Sequence, residues 1–153
     1  GPSTFQQRSG AENPFEGIDV GYNAAPSFLD FDGDGDLDLA IGNWDGEVWC
    51  YERTGPSTFQ QRSGAENPFE GIDVGGNAAP SFLDFDGDGD LDLAIGSDFA
   101  KVRYYERTGP STFQQRLGAE NPFGDIPPFE GIDVGDYASP SFLDIDGDGD
   151  LDL

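Results

Sequence analysis

Residues 27–42 read SFLDFDGDGDLDLAIG, and this stretch decides the fold of the chain. Carboxylates alternate with glycines at its centre, and an alternating apolar run follows, so an acidic turn leads into a segment typical of a β-strand. The stretch returns at residues 81–96 and, cut short, at residues 141–153. Three copies with the same spacing indicate a repeated structural unit.

The aspartates in each copy have the spacing of cation ligands. If Asp30 is position one, carboxylates stand at positions one, three, five and nine. Asp36 stands at position seven, where calcium loops offer a backbone carbonyl, and Gly35 stands at position six, where the chain turns sharply. Ca²⁺ takes about six to eight oxygen ligands in forgiving geometry, so the spacing predicts one Ca²⁺ per loop and three in all. The predicted metal-binding residues are Asp30, Asp32, Asp34, Asp36, Asp38, Asp84, Asp86, Asp88, Asp90, Asp92, Asp144, Asp146, Asp148, Asp150 and Asp152.

The segment after the loop separates this site from an EF-hand. An EF-hand needs a bidentate Glu at position twelve and helices on both sides, but position twelve is Ile41, in a segment that alternates like a strand. The pattern therefore predicts a calcium loop between two β-strands. A solvated acidic turn that binds no metal is the alternative interpretation.

The motif D-x-D-G-D-G-D-L-D, followed by an apolar strand, resembles the FG-GAP/VCBS repeats. These are the calcium-loop blades of integrin-α-type β-propellers and of many large secreted bacterial proteins. The resemblance covers essentially the whole chain. It implies a four-stranded antiparallel blade with the metal loop between its first and second strands, and an extracellular or cell-surface location. Several propellers of this superfamily bind glycans or protein ligands.

The repeats divide the chain into three predicted units. Residues 1–42 match residues 55–96 at every position except Tyr22, which is replaced by Gly76, so the period is 54 residues. From the second loop to the third the spacing is 60, because residues 124–129 are an insertion of six. The predicted units are residues 1–54, residues 55–108 and residues 109–153, the last truncated after its calcium loop.

The fold class that follows is all-β: tandem four-stranded antiparallel blades of the propeller type, as an incomplete ring or as part of a larger repeat assembly. The predicted strands are residues 27–30, 37–41, 47–53 and 58–62, and residues 69–74 are predicted to be extended or a single turn. In an up-and-down sheet, the calcium loops share one edge. The connections that vary between the repeats share the opposite edge. Drift in exposed loops is the favoured explanation of this variation, and a ligand site at this edge is the alternative.

The ends of the chain suggest a partner. Residues 1–8 are predicted to form a fourth strand, and Leu153 stands in a second strand, so both ends would expose unpaired edges. A propeller needs about four to eight blades. We therefore expect the chain not to close a domain alone but to associate head to tail with other copies of itself, in a ring or a filament.

The composition of the chain excludes several classes of partner and of enzyme mechanism. The formal charge of −24 excludes nucleic acid and anionic membranes as natural partners, and no apolar run suits membrane insertion. The chain has no His, which excludes Ser-His and Cys-His catalysis, and the clustered acids are already assigned to calcium. The prediction is a calcium-binding, non-enzymatic, extracellular structural repeat protein that self-assembles or forms part of a larger surface or adhesive protein. The alternative is a lectin-like propeller that binds glycans or a cell-surface protein through the edge opposite calcium.

The sequence also predicts roles for the cysteine, the tryptophans and the recurring arginines. Cys50 is the only cysteine and Tyr104 replaces it in the next unit, which favours a buried thiol over an intermolecular disulfide. Trp44 and Trp49 are expected to pack or to shape the hairpin, with a sugar-stacking platform as the alternative. Arginines recur at one position and are expected to pair with local carboxylates: Arg8, Arg62 and Arg116.

Overall fold

The computed structural model describes residues 4–98, 101–123 and 136–146 and consists of two four-stranded antiparallel sheets. The first sheet contains β1 (Ala25–Leu29), β2 (Asp38–Gly42), β3 (Val48–Gly55) and β4 (Thr58–Arg62), in that order. The second contains β5 (Ala79–Leu83), β6 (Asp92–Gly96), β7 (Val102–Gly109) and β8 (Thr112–Arg116). The described residues contain no α-helix, and short 3₁₀ turns lie at Gly10–Glu12, Gly64–Glu66 and Gly118–Glu120. None of these helices is long or apolar enough to cross a membrane.

The predicted all-β blades are confirmed. Each sheet is a meander in which neighbouring strands pair in chain order, with Leu39 opposite Tyr51 and Arg53 opposite Phe59. The four predicted strands match β1 to β4 to within about two residues, and β5 to β8 repeat them 54 positions later. Residues 68–71 form a turn and Asp73 makes a single bridge to Glu47, as expected for the segment between the blades.

The sheets stack face to face around apolar layers. One layer lies between the blades and joins Leu29 and Cys50 of the first sheet to Leu93, Ile95 and Tyr105 of the second. The outer face of each sheet is also covered. The segment before β1 packs on the first sheet, and Phe123, Ala138 and Phe142 pack on the second. Because both faces are covered, all five residues of β2 are buried, including the charged Asp38.

Close approach between repeats explains the glycine that ends β2 and β6. A Cβ at Gly42 would overlap the carbonyl carbon and oxygen of Ala78, and a Cβ at Gly96 would overlap those of Ala138. Ala78 also donates its backbone N–H to Asn43, 2.9 Å away. The end of the second strand is therefore a docking point for the following repeat, and only glycine leaves room for it.

The predicted sorting of the loops is confirmed. The β2–β3 hairpin of the first sheet meets the connections that precede β1 and β5: Trp44 donates its N–H to the carbonyl of Tyr22 at 2.8 Å and accepts from Asn77 N–H at 3.0 Å. At the opposite edge, Arg53 lies near Asp36 of the acidic loop and donates to the carbonyl of Pro56 in the β3–β4 turn. The variable connections and the acidic loops thus occupy opposite edges.

One predicted strand is wrong. The sequence predicts a fourth strand at residues 1–8, but residues 4–8 are not in a sheet, and the Phe5 side chain is fully exposed. The equivalent β4 and β8 each pair with the strand just before them, and the described residues offer no such strand to residues 4–8. The expected strand at Leu153 lies outside the described residues. The unit boundaries remain predictions. A predicted unit and a sheet do not coincide: residues 55–108 include β4, which is the last strand of the first sheet.

Candidate metal centre

The acidic loop between β1 and β2 is folded around its first aspartate. Asp30 accepts the backbone N–H of Gly33 on Oδ1 at 2.6 Å and that of Gly35 on Oδ2 at 2.9 Å. Both glycines have positive φ, +81° at Gly33 and +91° at Gly35, and Gly35 makes the sharp turn expected at position six. Asp32 and Asp34 each accept the N–H two residues ahead, at 3.0 and 2.8 Å. Hydrogen bonds from backbone N–H groups to aspartate carboxylates therefore stabilise the fold of the loop.

The ninth position anchors the loop to the sheet. Asp38 is 1% exposed; its Oδ2 accepts Phe31 N–H at 3.1 Å and its Oδ1 accepts Arg53 N–H at 2.8 Å. Burial raises the pKa of Asp38 to about 6, these two backbone donors oppose the rise, and the carboxylates of Asp32 and Asp34 add to it. A buried carboxylate facing other carboxylates is the charge arrangement that a bound cation stabilises.

Carboxylate oxygens converge in both described loops. In the first loop Asp30, Asp32 and Asp38 each bring an oxygen within 4.8 Å of the other two, and in the second loop Asp84, Asp86 and Asp88 do the same. Calcium–oxygen distances of about 2.3–2.6 Å allow ligands on opposite sides of one ion to lie about 5 Å apart. The donor set, all carboxylate and backbone oxygens, suits Ca²⁺. These residues therefore fit a hard divalent cation.

The sequence-predicted aspartates are not all brought together. Asp36 and Asp90, at position seven, belong to neither cluster, in line with a role for the backbone carbonyl there; Asp36 lies 3.7 Å from the Arg53 guanidinium instead. In the third loop Asp144 and Asp146 are described, whereas Asp148, Asp150 and Asp152 lie outside the described residues. The third site stays a prediction.

Two side chains near the loops were not found by sequence reasoning. The Tyr104 hydroxyl donates to Asp92 Oδ2 at 2.8 Å, and burial together with this carboxylate raises the pKa of Tyr104 far above its usual range. Arg107, from the second sheet, donates to the backbone carbonyl of Phe31 in the first loop at 2.8 Å. The replacement of Cys50 by Tyr104 was visible in the sequence, but its contact with Asp92 follows only from the strand register.

The expectations for Cys50 and for the recurring arginines are confirmed. Cys50 is a free, fully buried thiol. Burial, followed by the Asp38 carboxylate, raises its pKa to about 12. Arg62 pairs with Glu52 and Arg116 with Glu106, both at 2.7 Å, and Arg8 pairs with Glu12 at 2.9 Å.

A cavity of about 290 Å³ opens at the edge opposite the acidic loops. The start of β3, the end of β4 and the connection to β5 enclose it. Trp49 lies in its wall and donates its indole N–H to Glu47 at 3.1 Å, while Arg62, Asn67 and Glu70 supply further polar groups. The cavity therefore combines an aromatic ring with hydrogen-bonding groups.

One family model matches the chain when it is compared with known protein families. The model of the FG-GAP-like repeat matches residues 30–95 and again residues 84–153, so each match starts at the first aspartate of an acidic loop and together they cover most of the chain. Comparison with curated proteins and with solved structures gave no match. The sheets, the loop positions and the family match agree, and the chain belongs to the FG-GAP-like repeat family.

Proposed function

We propose that this protein is a calcium-dependent, non-enzymatic structural repeat protein that acts outside the cell, with one Ca²⁺ in each acidic loop. The convergence of three carboxylates within 4.8 Å in each described loop carries this proposal. Such loops suit the millimolar calcium of extracellular fluids, which fills even weak sites. The bound ion offsets the repulsion among the aspartates and ties the β1–β2 turn to the sheet through Asp38.

Calorimetric titration of the metal-free protein with CaCl₂ tests this proposal. We expect about three ions per chain, and about one ion fewer in Asp32→Ala, because that variant removes a clustered carboxylate. Asp45→Ala is the matched control, since Asp45 is an exposed acid of the β2–β3 hairpin outside both clusters. Equal stoichiometry in Asp32→Ala and the wild type would show that the loops do not hold the ion.

We also propose head-to-tail association with a second copy of the chain. Three phenylalanine rings, Phe15, Phe28 and Phe59, form a cluster that repeat two reproduces with Phe69, Phe82 and Phe113. The first sheet covers Phe69, which is 1% exposed, whereas Phe15 is 40% exposed. A repeat of this same sequence is therefore the chemically matched cover for the exposed cluster.

Light scattering after size-exclusion chromatography in calcium buffer tests the association. We expect a mass that is a multiple of 16.4 kDa for the wild type and a shift toward the monomer for Phe15→Ser. Phe5→Ser is the control, because Phe5 is fully exposed and outside the cluster. A wild-type monomer at every concentration contradicts self-association, and a Phe15→Ser mass equal to that of the wild type contradicts this surface.

The cavity at the opposite edge favours a second candidate, glycan binding. Sugar sites combine an aromatic platform with a few fixed hydrogen-bonding groups, and Trp49, Glu47 and Asn67 offer that combination. A glycan array with the wild type and Trp49→Ala tests it. We expect binding that disappears in Trp49→Ala and persists in Trp44→Ala, whose ring is not part of the cavity wall. An array without a signal would rule out the glycans that it displays.

A further inference from the structure

The first two acidic loops have the same sequence but different carboxylate clusters. Residues 27–42 and residues 81–96 are identical, yet the ninth-position carboxylate joins the cluster only in the first loop. Asp38 lies with Asp30 and Asp32, whereas Asp92 is not part of the cluster in the second loop. Because the loops are identical, the cause lies in the residues packed against them.

The third strand of each sheet provides that difference. Tyr104 pairs with Ala94, and Asp92 is two residues before Ala94 on the same face of β6. An aromatic side chain reaches such a diagonal neighbour. The Tyr104 hydroxyl accordingly donates to Asp92 Oδ2 at 2.8 Å, an oxygen that also accepts Phe85 N–H at 3.2 Å. Arg107 N–H occupies Asp92 Oδ1 as Arg53 N–H occupies Asp38 Oδ1, so the Tyr104 hydroxyl is the one donor that Asp92 has and Asp38 lacks.

The tyrosine is held firmly in that position. Its side chain is 3% exposed, and its ring lies 5.5 Å from that of Phe85 and 6.3 Å from that of Phe123. In the first sheet the equivalent residue is Cys50, which pairs with Ala40 in the same register. Within the described residues, Cys50 makes no hydrogen bond to Asp38, and Asp38 Oδ2 accepts only the Phe31 N–H.

We propose that Tyr104 is a positioning residue that withholds the Asp92 carboxylate from the cation of the second loop. The first loop then binds Ca²⁺ with Asp30, Asp32 and Asp38, and the second with Asp84, Asp86 and Asp88. The second loop lacks the buried carboxylate and binds the ion more weakly. This inference rests on the proposed calcium binding and adds that two identical loops are unequal because of one neighbouring residue.

Two single-loop proteins allow the comparison. The double variant Asp32→Ala/Asp146→Ala leaves the second loop intact, and Asp86→Ala/Asp146→Ala leaves the first loop intact. Calorimetry with CaCl₂ then gives one dissociation constant for each loop. Tyr104→Phe is added to both proteins, because it removes the hydroxyl and keeps the ring. Tyr104→Cys, which places the residue of the first sheet in the second, is the second variant. Thermal unfolding in excess chelator reports whether either change alters the metal-free fold.

We expect the first loop to bind Ca²⁺ more tightly than the second. Tyr104→Phe should tighten the second loop by about tenfold, the scale of a hydrogen bond to a charged group, and Tyr104→Cys should act in the same direction. Neither change should alter the first loop, which is the matched control. A structural role alone would lower the metal-free melting temperature without tightening calcium binding.

Unchanged or weaker binding at the second loop in Tyr104→Phe would overturn the inference while leaving the calcium proposal intact. An equal change in both loops would overturn it too, because the effect would then not pass through Asp92. Failure of both single-loop proteins to bind Ca²⁺, with the wild type also inert, would instead refute the proposed function on which the inference rests.

Discussion

The Cys50 thiol is unreactive because it is buried in the layer between the two sheets. In that layer, burial and the nearby Asp38 carboxylate disfavour its thiolate, and only the thiolate is nucleophilic. We therefore expect native protein at pH 8 to resist thiol-reactive dyes, and the same protein to react at once in guanidinium chloride. Fast labelling of the native protein would contradict the buried position.

The same thiol gives a pH dependence. Its pKa is about 12 in the folded chain against an ordinary value of 9.0, so between these values only the unfolded chain loses the proton. The unfolded state then binds fewer protons than the native state, and the free energy of unfolding falls as pH rises above about 9. Denaturant titrations from pH 8 to pH 11 should show a steeper fall for the wild type than for Cys50→Ala. Parallel curves would refute the shift.

One repeated position has a left-handed backbone conformation, which lowers stability where a bulky residue occupies it. The equivalent residues Asn23, Asn77 and Tyr137 have φ of +59°, +49° and +64°. Asn tolerates this region better than a bulky residue does, and the Tyr137 side chain is 59% exposed, so it loses little packing when replaced. Tyr137→Asn should stabilise the protein by about 1 kcal/mol in chemical denaturation, the low end of the cost of a left-handed non-glycine residue. Tyr22→Asn, also exposed, is the control; stabilisation by both alike would contradict the backbone explanation.

At the scale of elements, the ends of β2 and β6 join one repeat to the next. A Cβ at Gly42 meets the backbone of Ala78, which cannot move without shifting β5, so Gly42→Ala should cost about 1–3 kcal/mol of stability. Gly55→Ala is the matched control, because its nearest neighbour is the Thr58 side chain at an ordinary contact of 3.7 Å. Equal stability of the two variants, measured by denaturation, would contradict the docking point.

The sequence predicts most of the strands but not all of the contacts that they make. The alternation after the acidic loop located β2, and aromatic residues located β3, because both patterns are local. The alternation did not show that Asp38 is buried, since that depends on the second sheet covering the first. The repeat also predicted a strand at residues 1–8, because residues 4–8 match β4, but the described residues give residues 4–8 no strand to pair with. The Tyr104–Asp92 bond depends on strand register, which spacing alone does not give.

At the scale of the whole molecule, the two sheets share one core and should unfold together. Leu93 of the second sheet is fully buried in the layer that both sheets build. Leu93→Ala should cost about 2–5 kcal/mol. Both tryptophans, Trp44 and Trp49, belong to the first repeat, so their fluorescence reports on the sheet that the change does not touch.

We expect the tryptophan transition of Leu93→Ala to move to lower denaturant together with the circular dichroism transition. Leu117→Ala should move neither, because Leu117 is 61% exposed. A tryptophan transition that stays in place while circular dichroism changes would show that the blades unfold independently.

Thermal unfolding with and without calcium tests most directly the proposal that cations held by the acidic loops stabilise the stacked sheets. A ligand that binds only the folded state adds about 2.7 kcal/mol per site at a hundredfold excess over Kd. For a chain of this size each kcal/mol raises the melting temperature by about 2–4 °C, so one filled loop should raise Tm by at least about 5 °C. We expect this rise in CaCl₂ and its full reversal by excess chelator; superimposable melting curves in calcium and in chelator would contradict a stabilising role for the cations.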